Sequence, residues 1–270
     1  QIENETAEYR RAFLAAFRDK AATMPQWTDD AGHRHRLAPT CLYGDSPAEL
    51  RHAFYLAAGP LFLVFSGLLA PEDPLAQSTL LWFREGPPRK AYRYDSECWQ
   101  IPSLNHEISS CEPCYSWNVF HSHRAGDRKR FLEGMYSLLA GGLSRQTFTT
   151  CETRGGITGL TPCLPAFYLL RLAVVDDQIA PGELHLLRLM PLAWLSGRRE
   201  ARFENIPTEF GPVTLNVQLA MGGLELAVRF SPRWRNSPGK VTLHVPPLPG
   251  LRQVSVNGRR FPASEGYRVL

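Results

Sequence analysis

Three glutamates have the surroundings that acid–base chemistry requires. Glu107, Glu112 and Glu152 each lie in an uncharged, partly apolar stretch of the chain, where burial would raise the pKa of a carboxyl group. A protonated carboxyl beside an ionised one is the pair that cleaves glycosidic bonds, because one protonates the leaving oxygen while the other activates water or attacks the sugar. We therefore expect the catalytic carboxylates among these three, ahead of Asp95 and Glu97. A helix cap or a salt bridge is the alternative role of each.

Aromatic and basic side chains near these glutamates suit sugar binding. A flat apolar ring matches the face of a pyranose, and imidazole or guanidinium groups hydrogen-bond hydroxyls. The predicted substrate-binding residues are Trp99, His106, Tyr115, Trp117, His121 and Arg154. Their alternative roles are core or surface positions for the rings, and a salt bridge to Glu152 for Arg154. An earlier loop contributes only surface residues in this interpretation, namely Asp29, Asp30, His33 and His35.

We expect neither a metal ion nor a cofactor. Cys111 and Cys114 have C-x-x-C spacing, but no second ligand pair follows at short spacing, and His121-x-His123 is too tight for a zinc finger. The glycine-rich segment 155–159 lacks the preceding strand and the acidic partner of a dinucleotide site. The cysteines are interpreted as buried small residues, with one or two disulfides if the protein is exported; they are Cys41, Cys98, Cys111, Cys114, Cys151 and Cys163.

Composition and charge narrow the classes of partner. A 44% hydrophobic and 21% charged chain is ordinary for a folded protein, so wholesale disorder is excluded. The net charge is only +4 and no nucleic-acid-binding motif is present, so we expect no nucleic-acid partner. An uncharged run at 53–70 reaches the length of a membrane span, but Pro60 interrupts it and Gly59 and Ser66 dilute it. We interpret this run as buried helix and expect no membrane partner.

Apolar spacing predicts helices over the first 180 residues. Amphipathic helices with a charged face are predicted at 3–24, 74–85 and 127–143. Nearly uncharged helices are predicted at 46–69, 115–123 and 163–175. Asp127 is the expected N-cap of the helix that follows it.

An alternation of charged and uncharged helices is typical of an α/α toroid, in which amphipathic outer helices surround buried inner ones. Antiparallel hairpins would then place the three longest loops, 25–45, 87–114 and 144–161, at one end of the helices. Long loops on a rigid scaffold are where function usually lies. Only three such hairpins are present. Either the chain is a C-terminal piece of a closed toroid, with the other half missing or on another chain, or the helices form an open array.

From Glu183 the apolar period changes to two, which predicts strands. Strand-like runs, separated by turn signals, lie at 202–205, 213–219, 224–230, 241–245 and 253–256. The predicted fold class is α+β, with toroid-like helical hairpins over residues 1–180 and an antiparallel β-sandwich over 183–270. We expect Trp194 to be buried near the junction.

Four short motifs lie between residues 115 and 265. They are TFTTCE at 147–152, LMPLAWL at 189–195, FGPV at 210–213 and VSVNG at 254–258. This part of the chain resembles the C-terminal portion of bacterial six-hairpin glycosidases: the first motif resembles their threonine-rich loop ending in Glu, the second their bridge into the sandwich, and the others the sandwich's strand starts. The resemblance implies an (α/α)6 toroid followed by a β-sandwich, and a carbohydrate substrate.

Two classes of function remain. The first is a glycoside hydrolase, or the C-terminal part of one, that acts on an oligo- or polysaccharide by carboxylate acid–base catalysis; polysaccharide lyase chemistry is a close variant. The second is a non-catalytic carbohydrate-binding or scaffold protein with the same fold. The expected partners are a carbohydrate and either the other half of the toroid or another subunit.

Overall fold

Helices and mixed β-sheets make up the fold, so the predicted α+β class is confirmed. The computed structural model describes residues 2–39, 42, 61–85, 117–142, 166–195, 199–263 and 267–268. The chain divides into two compact units, called the N-terminal unit (Gln1–Ala166) and the C-terminal unit (Phe167–Leu270). This division groups the last helix with the strands, whereas the sequence analysis ended the helical domain at 180.

The helices described in the N-terminal unit are α1 (Ile2–Thr23), α2 (Pro74–Glu85), α3 (Trp117–Ala125) and α4 (Arg128–Gly142). Residues 61–65 are also helical, within the helix predicted at 46–69. A short antiparallel hairpin, β1 (Gln26–Thr28) and β2 (Arg34–Arg36), follows α1. The apolar spacing therefore located these helices to within a few residues.

Helix α1 is the amphipathic surface helix that its pattern predicts. Tyr9, Phe13 and Phe17 recur every four residues and their rings stack in sequence, with centroids 6.4 Å apart in both pairs. Only Phe17 and Ala21 of the helix are buried. They pack in a core cluster with apolar residues of later segments, including Leu63, Val64, Leu69, Leu75 and Ala76. Burial of Phe17 and Ala21 therefore anchors the C-terminal part of α1 to the rest of the N-terminal unit.

Two aspartates begin helices by accepting backbone hydrogen bonds. Asp73 Oδ1 accepts from Leu75 N at 2.9 Å, and Pro74 occupies the first turn of α2, where its missing N–H costs nothing. Asp127 Oδ1 accepts from Arg130 N at 3.0 Å, which confirms the predicted cap of α4. Asp73 also forms an ion pair with Arg18, so the start of α2 is tied to α1.

Helices α3 and α4 form a tight hairpin. Gly126 joins them with φ of 72°, a left-handed conformation that glycine adopts without a Cβ clash. The helices then approach closely, because a Cβ added to Gly134 would lie 2.5 Å from Cγ2 of Val119. Val119, Phe131 and Met135 are fully buried at this contact surface.

The uncharged run at 53–70 is described from residue 61 onward. Leu61, Leu63, Val64 and Leu69 are buried there, in line with the predicted interior position, while Phe62 is exposed. None of the helices in the described ranges has both the length and the hydropathy of a membrane span.

The C-terminal unit contains helix α5 (Ala166–Val174) from its second residue onward and continues into two sheets. The strands are β3 (Val175–Asp176), β4 (Glu183–Leu186), β5 (Ala201–Ile206), β6 (Val213–Ala220), β7 (Glu225–Pro232), β8 (Lys240–Leu243), β9 (Gln253–Val256), β10 (Arg259–Pro262) and β11 (Tyr267–Arg268). One sheet has the order β10-β9-β7-β6-β5 and the other β11-β8-β4-β3.

The prediction that all strands pair antiparallel is wrong for two pairs. β4 pairs parallel with β8, and β7 pairs parallel with β9. The other strand pairs of the described residues are antiparallel, including the long pair of β6 with β7. The apolar alternation of a strand is the same for either direction, so the sequence pattern could not distinguish them. Long connections such as the one from β4 to β8 make the parallel arrangement possible.

The five-stranded sheet buries one face, as the period of two predicts. On β6 the buried residues alternate as Val213, Leu215 and Val217, and on β7 as Leu226, Val228 and Phe230. Each such side chain contributes roughly 1.5–3 kcal/mol by leaving water. The intervening residues form the opposite, polar face of the five-stranded sheet, which we call the outer face.

Two local features complete this unit. Gly211 has φ of 121°, and a Cβ there would lie 2.4 Å from the carbonyl oxygen of Arg233, so the FGPV motif needs glycine for a close backbone approach. Trp194 lies in a 3₁₀ turn (Leu192–Leu195) with its ring centroid 6.0 Å from that of Phe203. It is half-buried rather than buried as expected.

Candidate functional site

Most of the predicted site residues lie outside the described part of the chain. This holds for all three candidate carboxylates, Glu107, Glu112 and Glu152, and for Trp99, His106, Tyr115 and Arg154. The six cysteines also lie outside it. The site is therefore built below from the described residues, most of them titratable groups that were not predicted to belong to it.

Two predicted sugar-binding residues lie on α3. Trp117 is the first residue of the helix, and His121 is buried one turn later. His121 Nε2 lies 2.7 Å from the carbonyl oxygen of Pro71, so this nitrogen carries the proton and donates it. The amide of Gln77 donates to the same oxygen at 2.8 Å. In this arrangement His121 joins α3 to the segment before α2 and does not face solvent.

The hairpin after α1 holds a charged cluster that the sequence analysis assigned to the surface. Asp29 accepts hydrogen bonds from the backbone and ring of His33 and from His35 Nε2, the last at 2.8 Å. Its side chain is only 10% exposed. The His35 ring stacks on Trp27 with centroids 4.7 Å apart. The spacing Asp-x-x-x-His-x-His around the Gly32 turn was the available signal for this cluster.

The cluster has a defined charge. The hydrogen bond from His35, helped by those from His33, holds the pKa of the Asp29 carboxyl well below its usual range, although partial burial opposes the shift. Asp29 is therefore an ionised acceptor and not a general acid. A carboxylate that binds one imidazole nitrogen orients the ring and leaves the other nitrogen to accept a proton. Asp29 and His35 thus form an acid–base pair beside an aromatic ring.

A second histidine cluster lies in the four-stranded sheet. His185 on β4 and His244 after β8 are 59 positions apart, yet His185 Nδ1 lies 2.8 Å from His244 Nε2. Only one of these two nitrogens carries a proton in such a contact. On its other side, His185 Nε2 lies 3.2 Å from Glu183 Oε2, and Lys240 Nζ contacts the same oxygen at 3.1 Å. The parallel pairing of β4 with β8 brings these groups together.

We expect the C-terminal unit to lose stability as the pH falls from about 7 towards 5.5. Burial lowers the pKa of His185, although Asp176 and Glu183 nearby oppose the shift. As the pH falls, His185 therefore takes up a proton in the unfolded chain before it does so in the folded one. The contribution of neutral His185 to the free energy of unfolding is complete above its pKa in the unfolded chain and decreases below that pKa. Protonation of carboxylates with lowered pKa values, such as Glu183, reduces stability further, but only at more acidic pH. Thermal unfolding midpoints across this range measure the effect.

His185→Gln should flatten this pH dependence by removing the titrating group. His33→Gln is the matched control, because it removes a histidine that is exposed and lies in the other unit. A pH profile of His185→Gln that still parallels the wild-type profile would contradict this assignment.

A third polar cluster contains a buried ion pair at the end of α5. Arg171 Nη1 lies 2.9 Å from Asp177 Oδ1, while Asp177 Oδ2 accepts from Glu209 N at 2.9 Å. The guanidinium also lies 5.1 Å from the centroid of the Tyr168 ring. Through Asp177 the ion pair ties α5 to the loop before β6, so we interpret the pair as structural.

The described residues contain no group of three His, Cys, Asp or Glu side chains that could hold a metal ion. Comparisons of the chain with protein-family models, with curated proteins and with solved structures give no match. The functional interpretation therefore depends on the residues and their geometry, and the Asp29–His35 pair is the described group best arranged for acid–base chemistry.

Proposed function

We propose that the protein is a glycoside hydrolase, or the C-terminal part of one, that acts on an oligo- or polysaccharide. The N-terminal unit would supply helical hairpins of an α/α toroid, and the C-terminal unit a β-sandwich. The observation that carries the proposal is the Asp29–His35 pair beside Trp27, because it lies in the first of the three long loops that the toroid arrangement places at one end. An ionised carboxylate and an imidazole are groups that bind and cleave sugars, and the buried indole of Trp27 supports the His35 ring.

The proposed catalytic carboxylates belong to the other two loops predicted from the sequence, 87–114 and 144–161. Glu152 would be the general acid, and Glu107 or Glu112 the base or nucleophile. Asp29 would hold His35 in place, and His35 would hydrogen-bond a sugar hydroxyl or relay a proton. If Arg154 pairs directly with Glu152, the pKa of Glu152 falls and the roles of acid and base exchange.

A polysaccharide lyase is the second candidate, and the same pair favours it. Lyases remove a proton from the carbon next to a sugar carboxylate, and a histidine held by an ionised aspartate is suited to that step. A non-catalytic carbohydrate-binding or scaffold protein is the remaining alternative.

One assay separates these functions. The purified chain is incubated with neutral and uronate-containing oligo- and polysaccharides, and both new reducing ends and the ultraviolet absorbance of unsaturated sugars are followed. We expect new reducing ends without new absorbance, which is hydrolysis. Reducing ends together with absorbance would show a lyase instead. A chain that releases no reducing ends from any substrate, while still binding one of them, would contradict the enzyme proposal and favour the binding protein.

A further inference from the structure

Two arginines are fixed side by side on the outer face of the five-stranded sheet. Glu200 Oε2 accepts from Arg202 Nε at 2.7 Å, and Glu200 Oε1 accepts from Arg229 Nη2 at 2.6 Å. One carboxylate therefore holds two guanidinium groups, which leaves a net charge of +1. The side chains of Arg202 and Arg229 are 64% and 69% exposed, whereas that of Glu200 is 13% exposed. The two guanidinium groups are therefore exposed to solvent, and the Glu200 carboxylate lies beneath them.

Arg260 repeats this arrangement on β10. Its Nε lies 4.0 Å from Glu225 Oε1, and the Arg260 side chain is 68% exposed whereas that of Glu225 is 8% exposed. Glu225 is fixed from the side by the amide of Gln253, which donates to Oε2 at 2.6 Å. An ordered carboxylate again lies under an exposed guanidinium.

The strand register aligns these groups across the sheet. Arg202, Asn216 and Arg229 lie opposite one another on β5, β6 and β7. In the next row, Gln218, Ala227, Ser255 and Arg260 lie opposite one another on β6, β7, β9 and β10. Because neighbouring strands lie about 4.8 Å apart, the backbone positions of the arginines on β5, β7 and β10 are spaced at steps of about 10 Å across the sheet, and the long side chains of Arg202 and Arg229 converge on Glu200. Amide and hydroxyl side chains fill the positions between them.

The net charge of the chain is concentrated in this unit. Residues 167–270 contain 13 basic and 8 acidic residues, a formal charge of +5, whereas residues 1–166 contain 17 basic and 18 acidic residues, a charge of −1. A unit with this net charge attracts a negatively charged partner over a distance of about one Debye length, roughly 8 Å at physiological salt.

We propose that the outer face binds a carboxylate-bearing polysaccharide, with Arg202 and Arg229 gripping one sugar carboxylate and Arg260 another further along the chain. The inference deepens the proposed function, on which it rests, by naming the substrate class. Guanidinium groups bind carboxylates through paired, charge-assisted hydrogen bonds. The amides and hydroxyls between them match the hydroxyls that separate the charges of a uronate polymer.

A nucleic acid fits this face less well. Double-stranded DNA carries a charge every 1.7 Å of its axis, and its binding requires many unshared cations. The outer-face rows described above offer only three arginines, two of which share one carboxylate, so they can match a few well-separated charges but not closely spaced phosphates. Neither of the two rows described above contains an aromatic residue on which the bases of a single strand would stack.

The test is retardation of the purified full chain in native gels that contain polygalacturonate, neutral dextran or double-stranded DNA. We expect polygalacturonate to retard the wild type, with an effect that weakens as salt is raised, and dextran to leave its mobility unchanged. Joint replacement of Arg202→Gln and Arg229→Gln should weaken polygalacturonate binding about tenfold, because two charge-assisted contacts are lost. The control is joint replacement of Arg11→Gln and Lys129→Gln, which removes the same charge from exposed positions of the N-terminal unit.

Three outcomes would overturn the proposal: no retardation by polygalacturonate, equal weakening in both double variants, or tighter Arg202- and Arg229-dependent binding of DNA. Circular dichroism checks that each variant is folded. Because the assay measures binding without turnover, arginine-dependent retardation supports this inference even where no reducing ends are released. If the chain hydrolyses a glycan but polygalacturonate does not retard it, the proposed enzyme activity is supported and the proposed binding at the outer face is refuted.

Discussion

Replacing Glu152 with Gln should lower kcat on a cleaved glycan about 10²- to 10⁴-fold, the range for loss of a general acid. The amide keeps the shape of the side chain but cannot protonate the leaving oxygen. Glu152 is the proposed acid because Phe148 and Ile157 flank it in sequence and no acidic residue lies within twelve positions on either side. Such surroundings favour a raised pKa. Initial rates of reducing-end release measure the effect.

Glu107→Gln and Glu112→Gln identify the second carboxylate in the same assay, and only one of them should cause a comparable loss. Glu8→Gln on the exposed side of α1 is the control that changes charge alone. Full turnover in a folded Glu152→Gln protein would remove this residue from the mechanism. A leaving group that needs no protonation should restore much of the lost rate of the acid variant, which distinguishes an acid from a residue that only supports the fold.

Replacing Arg171 with Met should lower the free energy of unfolding of the C-terminal unit by about 3 kcal/mol. Asp177 is 2% exposed, and the substitution leaves its charge buried without its cation. The hydrogen bonds from Gln178 and Glu209 remain but do not neutralise it. Equilibrium urea unfolding of wild type and variant measures the loss.

Adding Asp177→Asn to Arg171→Met should recover part of that stability, since the unpaired charge is then removed. Arg202→Gln is the control, because its ion pair is exposed and such pairs contribute at most about 1 kcal/mol. A loss in Arg171→Met no larger than in Arg202→Gln would show that the buried pair does not hold α5 in place.

The local elements of the fold were predictable because their signals lie within a few residues of each other. Asp73 and Asp127 mark helix starts by accepting hydrogen bonds from Leu75 N and Arg130 N, which lie only two or three positions further along the chain. The alternation along β6 and β7 identifies strands and their buried faces. The site was less predictable. Asp29 was interpreted as a surface residue because a single charged loop residue does not show which side chains the turn will bring to it.

The sequence by itself determined the order of helices and strands, the buried side of each and the residue types available for acid–base chemistry. Only the tertiary structure decided which strands pair in parallel, that Arg202 and Arg229 share one carboxylate, and that His185 meets His244 across 59 positions. The physical reason is the range of the forces involved. Caps and periodicity depend on neighbouring residues, whereas strand partners depend on the packing free energy of the whole unit, to which every distant segment contributes.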